Sequence, residues 1–76
     1  MEDKKRALEE MIEVLVVAIP REISAYEFYM SASRKSVNDA SRELFVSLAH
    51  QEKGHEAALR GIMEELKKEL EELKKK

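Results

Sequence analysis

The sequence predicts an all-α fold, a two-helix antiparallel hairpin that pairs with a second copy of itself to form a four-helix bundle. Apolar residues recur at steps of three and four through two long stretches, which is the period of an amphipathic helix. Only two glycines and one proline interrupt the chain. A chain of 76 residues without cysteine rarely buries enough apolar surface to be stable as a monomer. We therefore expect one domain, residues 1–76, that needs a partner.

The first helix is predicted from about residue 3 to residue 35. Its repeating apolar positions are Leu8, Met11 or Ile12, Leu15, Ala18 or Ile19, Ala25 or Tyr26, Tyr29 and Ala32. Glu22 occupies a place in the same series, where its carboxylate would face the neighbouring helix. Pro20 lacks the amide that a helix uses for hydrogen bonding, so we expect a kink between Val16 and Pro20.

The chain is predicted to turn at about residues 36–39 and to form a second helix over about residues 39–74. Either Asn38 or Asp39 can accept hydrogen bonds from the free amides of the first turn and so begin this helix. Its repeating apolar positions are Leu44, Leu48, Leu59, Ile62 or Met63, Leu66, Leu70 and Leu73. The spacing again indicates a helix with one buried face.

Polar residues interrupt both apolar series at one height. Glu52 and His55 stand in the series of the second helix, as Glu22 does in the first. With this turn, residues of the two helices lie level when their numbers add up to about 75, which places Glu22 beside Lys53. A rise of about 1.5 Å per residue puts all three polar side chains ~22 Å from the turn. The sequence therefore predicts that they converge.

These three side chains suit a metal centre. Glu52 and His55 are three residues apart, so they project from one face of the helix and can bind one ion or bridge two. A two-fold dimer would gather four carboxylates and two imidazoles, whose charge balances two divalent cations. This donor set suits iron or manganese, with zinc as an alternative. We expect Glu22, Glu52 and His55 to be the metal ligands and catalytic residues for Fe(II) oxidation or peroxide reduction.

Two segments resemble the rubrerythrin branch of the ferritin-like superfamily, namely AIPREISAYEFY and ELFVSLAHQEKGHEAAL. The residues that carry the resemblance are Glu22, the pair Phe28 and Tyr29, the pair Leu48 and Ala49, and Glu52 with His55. Ferritin-like bundles combine one Glu from each of two helices with a Glu-x-x-His from each of the other two. A chain with one such helix pair is similar to encapsulated-ferritin-type half-bundle proteins, which dimerise around their iron pair.

The resemblance implies a ferroxidase with two iron ions per dimer, acting in iron handling or oxidative-stress defence. It also implies an encapsulin shell as a partner. Some relatives place acidic residues beside the ligand Glu, at positions held here by Arg21 and Ser24. These 76 residues contain no cysteine, so we do not expect the rubredoxin-like module of a full rubrerythrin.

Other residues near these motifs are expected to have structural roles. Tyr29 and Tyr26 are expected to pack, with a hydroxyl close to the metal centre. Phe28 is expected in the core or in a dimer contact. Glu27 and Glu56 are expected on a solvated face, with a place just outside the metal ligands as the alternative. The three methionines Met11, Met30 and Met63 are expected to fill gaps in the core. His50 lies about 140° around the helix from His55, so we expect it to face solvent.

Two alternative functions remain open at the level of the sequence. The chain could be a non-catalytic metal-binding module, or a helical interaction protein that uses Leu66, Leu70 and Leu73 and binds no metal. Nucleic acid is not an expected partner because the net charge is −2. No membrane span is expected, since the apolar run MIEVLVVAI is short and carries Glu13. The charged N-terminus shows no secretory signal, so the expected location is the cytoplasm.

Overall fold

The computed structural model describes residues 2–75, which form a hairpin of two helices, α1 (Glu2–Lys35) and α2 (Asp39–Lys74). Within these residues there is no strand. The hairpin is a rod with extents of 58 × 15 × 12 Å. The predicted all-α antiparallel hairpin is confirmed, and its pairing with a second copy stays a prediction. Neither described helix combines the length and apolar character that crossing a bilayer requires.

The turn is closed by hydrogen bonds that involve the side chains of Asn38, Asp39 and Arg42. Asn38 has extended backbone angles, φ −142 and ψ 165, and its Oδ1 accepts a hydrogen bond from the amide of Ser41 at 2.8 Å. Arg42 donates from Nη1 to Asp39 Oδ1 at 2.8 Å and from Nη2 to the carbonyl of Ser36 at 3.3 Å. Asn38 is therefore the residue that caps α2, one of the two caps predicted.

α1 continues through Pro20 as one helix. Pro20 is exposed, so its ring lies on the solvent side of the helix. The residue whose carbonyl loses its hydrogen bond, Val16, is also exposed, and water can reach that carbonyl. The proline therefore does not divide α1.

The core lies in the seam between α1 and α2. Leu15 and Ile19 pack with Met63 at its centre. Ile12, Ile23, Leu59 and Leu66 pack around this cluster and are half-buried. Further buried positions along the seam are Leu8, Ser33 and Ala49. The core is thus a single line of side chains, as expected when each helix has only one neighbour.

Two apolar residues predicted for the core lie outside it. Leu44 is 56% exposed, and its neighbour Phe45 is half-buried instead. Met11 is 51% exposed, while the alternative at that position, Ile12, packs on the core. The predictions for Leu44 and Met11 as hairpin core are wrong. Each helix carries two neighbouring apolar stripes, and one neighbouring helix can cover only one of them.

Candidate metal centre

Glu22 from α1 and Glu52 and His55 from α2 converge at one point of the seam. One ligand atom of each lies within 4.8 Å of the others. His55 Nδ1 is 3.3 Å from Glu22 Oε2 and 3.6 Å from Glu52 Oε1. The three-residue spacing places Glu52 and His55 on neighbouring positions of α2, and the position of the turn brings Glu22 of α1 to the same height. The three residues meet as the sequence predicts, and their role as metal ligands stays a prediction.

The three side chains differ in exposure. The carboxylates of Glu22 and Glu52 are 24% and 19% exposed, whereas the imidazole of His55 is 61% exposed. His55 therefore lies at the edge of the seam, and its predicted place within the seam is wrong. A helix turns about 100° per residue, so a residue three positions from Glu52 lies about 60° away around the helix. That rotation brings the imidazole to the open side of the hairpin.

Glu56 occupies the seam position that was predicted for His55. Its side chain is only 14% exposed, so the predicted solvated position for Glu56 is wrong. Arg60 donates from Nε to Glu56 Oε2 at 2.9 Å, and Lys53 Nζ lies 3.6 Å from Oε1. The hydrogen bond from Arg60 is the main cause that lowers the pKa of Glu56, and the charge of Lys53 adds to it. The negative charge of Glu56 is thus compensated by Arg60 and Lys53 of the same helix.

The paired acids carry an electrostatic conflict that a cation would relieve. A hydrogen bond with the Glu22 carboxyl group raises the pKa of Glu52; partial burial and the charge of Glu22 add to this, and His55 opposes it. Glu22 Oε2 is buried and, within residues 2–75, receives no hydrogen bond from an N–H donor, although His55 Nδ1 lies 3.3 Å from it. Carboxylate oxygens with an imidazole fit iron, manganese or zinc.

Aromatic residues line α1 beyond Glu22. Tyr29 stacks on Phe45 of α2 with ring centroids 6.4 Å apart, and Phe28 meets the edge of Tyr29 at 5.6 Å. Lys53 Nζ lies 4.5 Å from the centre of the Tyr26 ring. The packing roles predicted for Tyr26 and Tyr29 agree with these contacts. Their hydroxyl groups as neighbours of the metal stay a prediction.

An antiparallel hairpin with Glu on one helix and Glu-x-x-His on the other is one half of the site found in ferritin-like carboxylate bundles. The family model for Rubrerythrin matches residues 13–76 of the chain. The chain therefore belongs to the rubrerythrin family, within the ferritin-like superfamily, as the resemblance implied. Neither a curated protein nor a solved structure gives a significant match to the chain.

Proposed function

We propose that this protein binds a pair of iron ions between two copies of its hairpin and oxidises Fe(II) with O2 or peroxide. The observation that carries the proposal is the convergence of Glu22, Glu52 and His55 within 4.8 Å in a chain of the rubrerythrin family. Such a ferroxidase would serve iron handling or oxidative-stress defence. Its proposed location is the cytoplasm, free or inside an encapsulin shell. A bare dimer encloses no large cavity, so storage of mineral iron would require such a shell or a higher assembly.

One hairpin supplies half of the ligand set that ferritin-like bundles use. It offers two carboxylates and one imidazole, and the imidazole stands at the open side. A second hairpin placed there would add the same groups in symmetric positions. The exposure of His55 therefore supports a site that is completed by a second copy of the chain.

Apolar residues surround His55 on this side of the hairpin, which we call the open flank. Its positions are Met11, Val14, Ala18, Ala25 and Phe28 on α1, and Leu44, Leu48, Ala58 and Ile62 on α2. Its five large exposed members, Met11, Val14, Phe28, Leu44 and Ile62, are between 47% and 67% exposed. Monomeric proteins rarely leave a continuous apolar surface uncovered.

The open-flank residues of α1 and those of α2 each form a stripe along their helix, and these two stripes lie on the same side of the hairpin. Viewed along each helix from its N-terminus, the open-flank stripe is rotated from the seam in the same sense in α1 and α2. Because the two helices are antiparallel, these two rotations bring both stripes to the same side of the hairpin. The contact of His55 with Glu22 and the contact of Lys53 with Tyr26 agree with this, since Lys53 leaves α2 on the other side. A second hairpin can therefore cover both stripes at once.

The open flank is nearly symmetric about the candidate metal centre. Leu44 and Ile62 each lie nine residues from Lys53, and Val14 and Phe28 each lie seven residues from Arg21. A two-fold axis perpendicular to the rod at this height would pair each helix with its own copy, antiparallel. Leu44 would then meet the partner's Ile62, and Val14 would meet the partner's Phe28, at equal distances from the metal. This symmetry supports a dimer in which two half-sites face each other.

The proposed roles of the side chains follow from their chemistry. Glu22 and Glu52 would bind or bridge the cations, and His55 would bind one ion per chain. The Glu22 carboxyl group beside it raises the pKa of Glu52, and a cation held by both carboxylates would offset their mutual repulsion. Iron(II) ions held there would supply one electron each to O2 or peroxide. The second hairpin would exclude bulk water from the open flank.

Oxygen consumption after anaerobic loading with Fe(II) tests this function. We expect the unmodified protein to consume O2 on exposure to air and the variant His55→Ala to lose that consumption, because a ligand is missing from each half-site. His50→Ala is the matched control, since His50 is also an exposed histidine of α2 but faces away from the site. Bound iron without O2 consumption would indicate a non-catalytic metal-binding module. A protein that binds no iron would support the helical interaction protein instead.

A further inference from the structure

The open flank contains a polar residue that the proposed metal centre does not use. Gln51 lies on the stripe of α2 between Leu48 and His55 and is exposed. In the proposed dimer this position is covered, and a buried amide needs hydrogen-bond partners. The question is which group in the dimer would meet the Gln51 side chain.

His55 presents the complementary requirement. Its Nδ1 faces the two carboxylates, so its Nε2 lies at the other edge of the ring, on the open side. A metal-binding imidazole usually donates its second N–H to an acceptor, which fixes both its tautomer and its orientation. A hairpin that covers the open flank can supply that acceptor.

The spacing of the α2 stripe defines which residues meet across the axis. Leu44, Leu48, Gln51, His55, Ala58 and Ile62 follow each other at steps of four and three, as the core positions of a coiled coil do. An antiparallel pairing centred at residue 53 brings Leu44 opposite the partner's Ile62 and Leu48 opposite the partner's Ala58. The same register brings Gln51 opposite the partner's His55.

We propose that the Gln51 side-chain amide of each subunit accepts a hydrogen bond from the His55 ring of the partner subunit. Gln51 is then a positioning residue, which holds the partner's imidazole in the tautomer that binds metal. The inference rests on the proposed dimer and extends it, because each hairpin also orients the ligand of the other. It accounts for the two polar residues in the middle of an apolar stripe, which satisfy each other there.

Two heterodimers of identical composition separate a contact between subunits from a contact within one chain. Differently tagged chains are co-expressed and co-purified. The first heterodimer combines Gln51→Leu with His55→Ala, so the remaining His55 faces the partner's Gln51. The second combines the unmodified chain with the double variant, so the remaining His55 faces a leucine. The measurements are the ¹⁵N NMR shifts of the imidazole without metal and the affinity for Co²⁺.

We expect the first heterodimer to retain a single His55 tautomer. The second should show mixed tautomers and bind Co²⁺ about tenfold to a hundredfold more weakly, the usual effect of losing the partner of a metal-binding histidine. Replacing the leucine by glutamate, as Gln51→Glu, restores an acceptor and should restore the single tautomer. Identical spectra and affinities for the two heterodimers, or the loss of the tautomer in the first one, would overturn the inference. Tagged chains that do not co-purify would instead refute the proposed dimer.

Discussion

Two acidic side chains lie side by side in the seam, and they respond to pH in opposite ways. The pKa of Glu52 is raised mainly by its hydrogen bond with Glu22, whereas the pKa of Glu56 is lowered mainly by its hydrogen bond from Arg60. The folded protein therefore favours a proton on Glu52 and disfavours one on Glu56. Only the first of these two acids is left for a cation to neutralise.

We expect the stability of the metal-free protein to depend on pH through Glu52. Because its folded pKa is raised above the ordinary value of 4.5, its contribution is present below 4.5 and is lost as the pH rises through the folded value. In Glu52→Gln this loss should disappear. The free energy of unfolding, measured by urea titration of chelator-treated protein at a series of pH values, tests this.

The matched control for this experiment is Glu56→Gln. Glu56 has a lowered pKa, so its contribution is present above 4.5 and is lost as the pH falls through the folded value. In Glu56→Gln the loss of unfolding free energy at acidic pH should therefore disappear. The loss of unfolding free energy above pH 4.5, which is due to Glu52, should remain. If Glu52→Gln loses stability with rising pH as the unmodified protein does, the carboxylates of Glu22 and Glu52 do not destabilise each other in the folded protein.

At the scale of the helices, α1 tolerates a proline because Pro20 lies on its exposed side. We expect Pro20→Ala to increase the free energy of unfolding by up to about 3 kcal/mol, since it restores a helix hydrogen bond and removes a steric clash. Thermal or urea unfolding followed by circular dichroism measures this. Ser24→Ala, also exposed in α1, should change stability by less than about 0.5 kcal/mol. A Pro20→Ala variant no more stable than the unmodified protein contradicts this account.

The helices and the level of the site could be predicted from the sequence because they depend on local rules. The Asn38 cap and the constant rise per residue place Glu22 opposite Glu52 whatever the helices pack against. The rotation of each helix could not be predicted, because two apolar stripes lie side by side and the sequence does not say which one the hairpin covers. For this reason the sequence predicts His55 in the seam and Glu56 in solvent, whereas the structure has Glu56 in the seam and His55 at its edge.

One signal for the position of Glu56 was present in the sequence. Glu56 is four residues from Glu52 and has Lys53 and Arg60 at the helical spacings that permit ion pairs. An acid with two basic neighbours on its own helix can enter a seam without another cation. Glu22 has no comparable pair on α1 within the described residues, since its contact is with His55 of α2.

At the scale of the whole molecule, the hairpin leaves one flank apolar, and this flank should mediate dimer formation. We expect Ile62→Glu to dissociate the dimer, because it places a charge in the open flank against the partner. Sedimentation equilibrium over a range of protein concentrations measures the dissociation constant. The change should exceed tenfold, which corresponds to about 1.4 kcal/mol.

The control for that prediction is Val16→Glu. Val16 is 57% exposed and lies about 200° around α1 from Val14, outside the open flank. The Val16→Glu variant should therefore dimerise with the same dissociation constant as the unmodified protein. A protein that is monomeric throughout, or one in which both substitutions weaken the dimer equally, would show that the open flank is not the interface.

The most direct test of the central claim is native mass spectrometry of protein loaded with Fe(II) under anaerobic conditions, because it reports subunit number and metal content together. We expect the main species to be a dimer that carries two iron ions, and we expect Glu52→Gln to bind fewer. An iron-free protein, an iron-loaded monomer, or iron content that is unchanged in Glu52→Gln would contradict the claim that two hairpins share one metal centre.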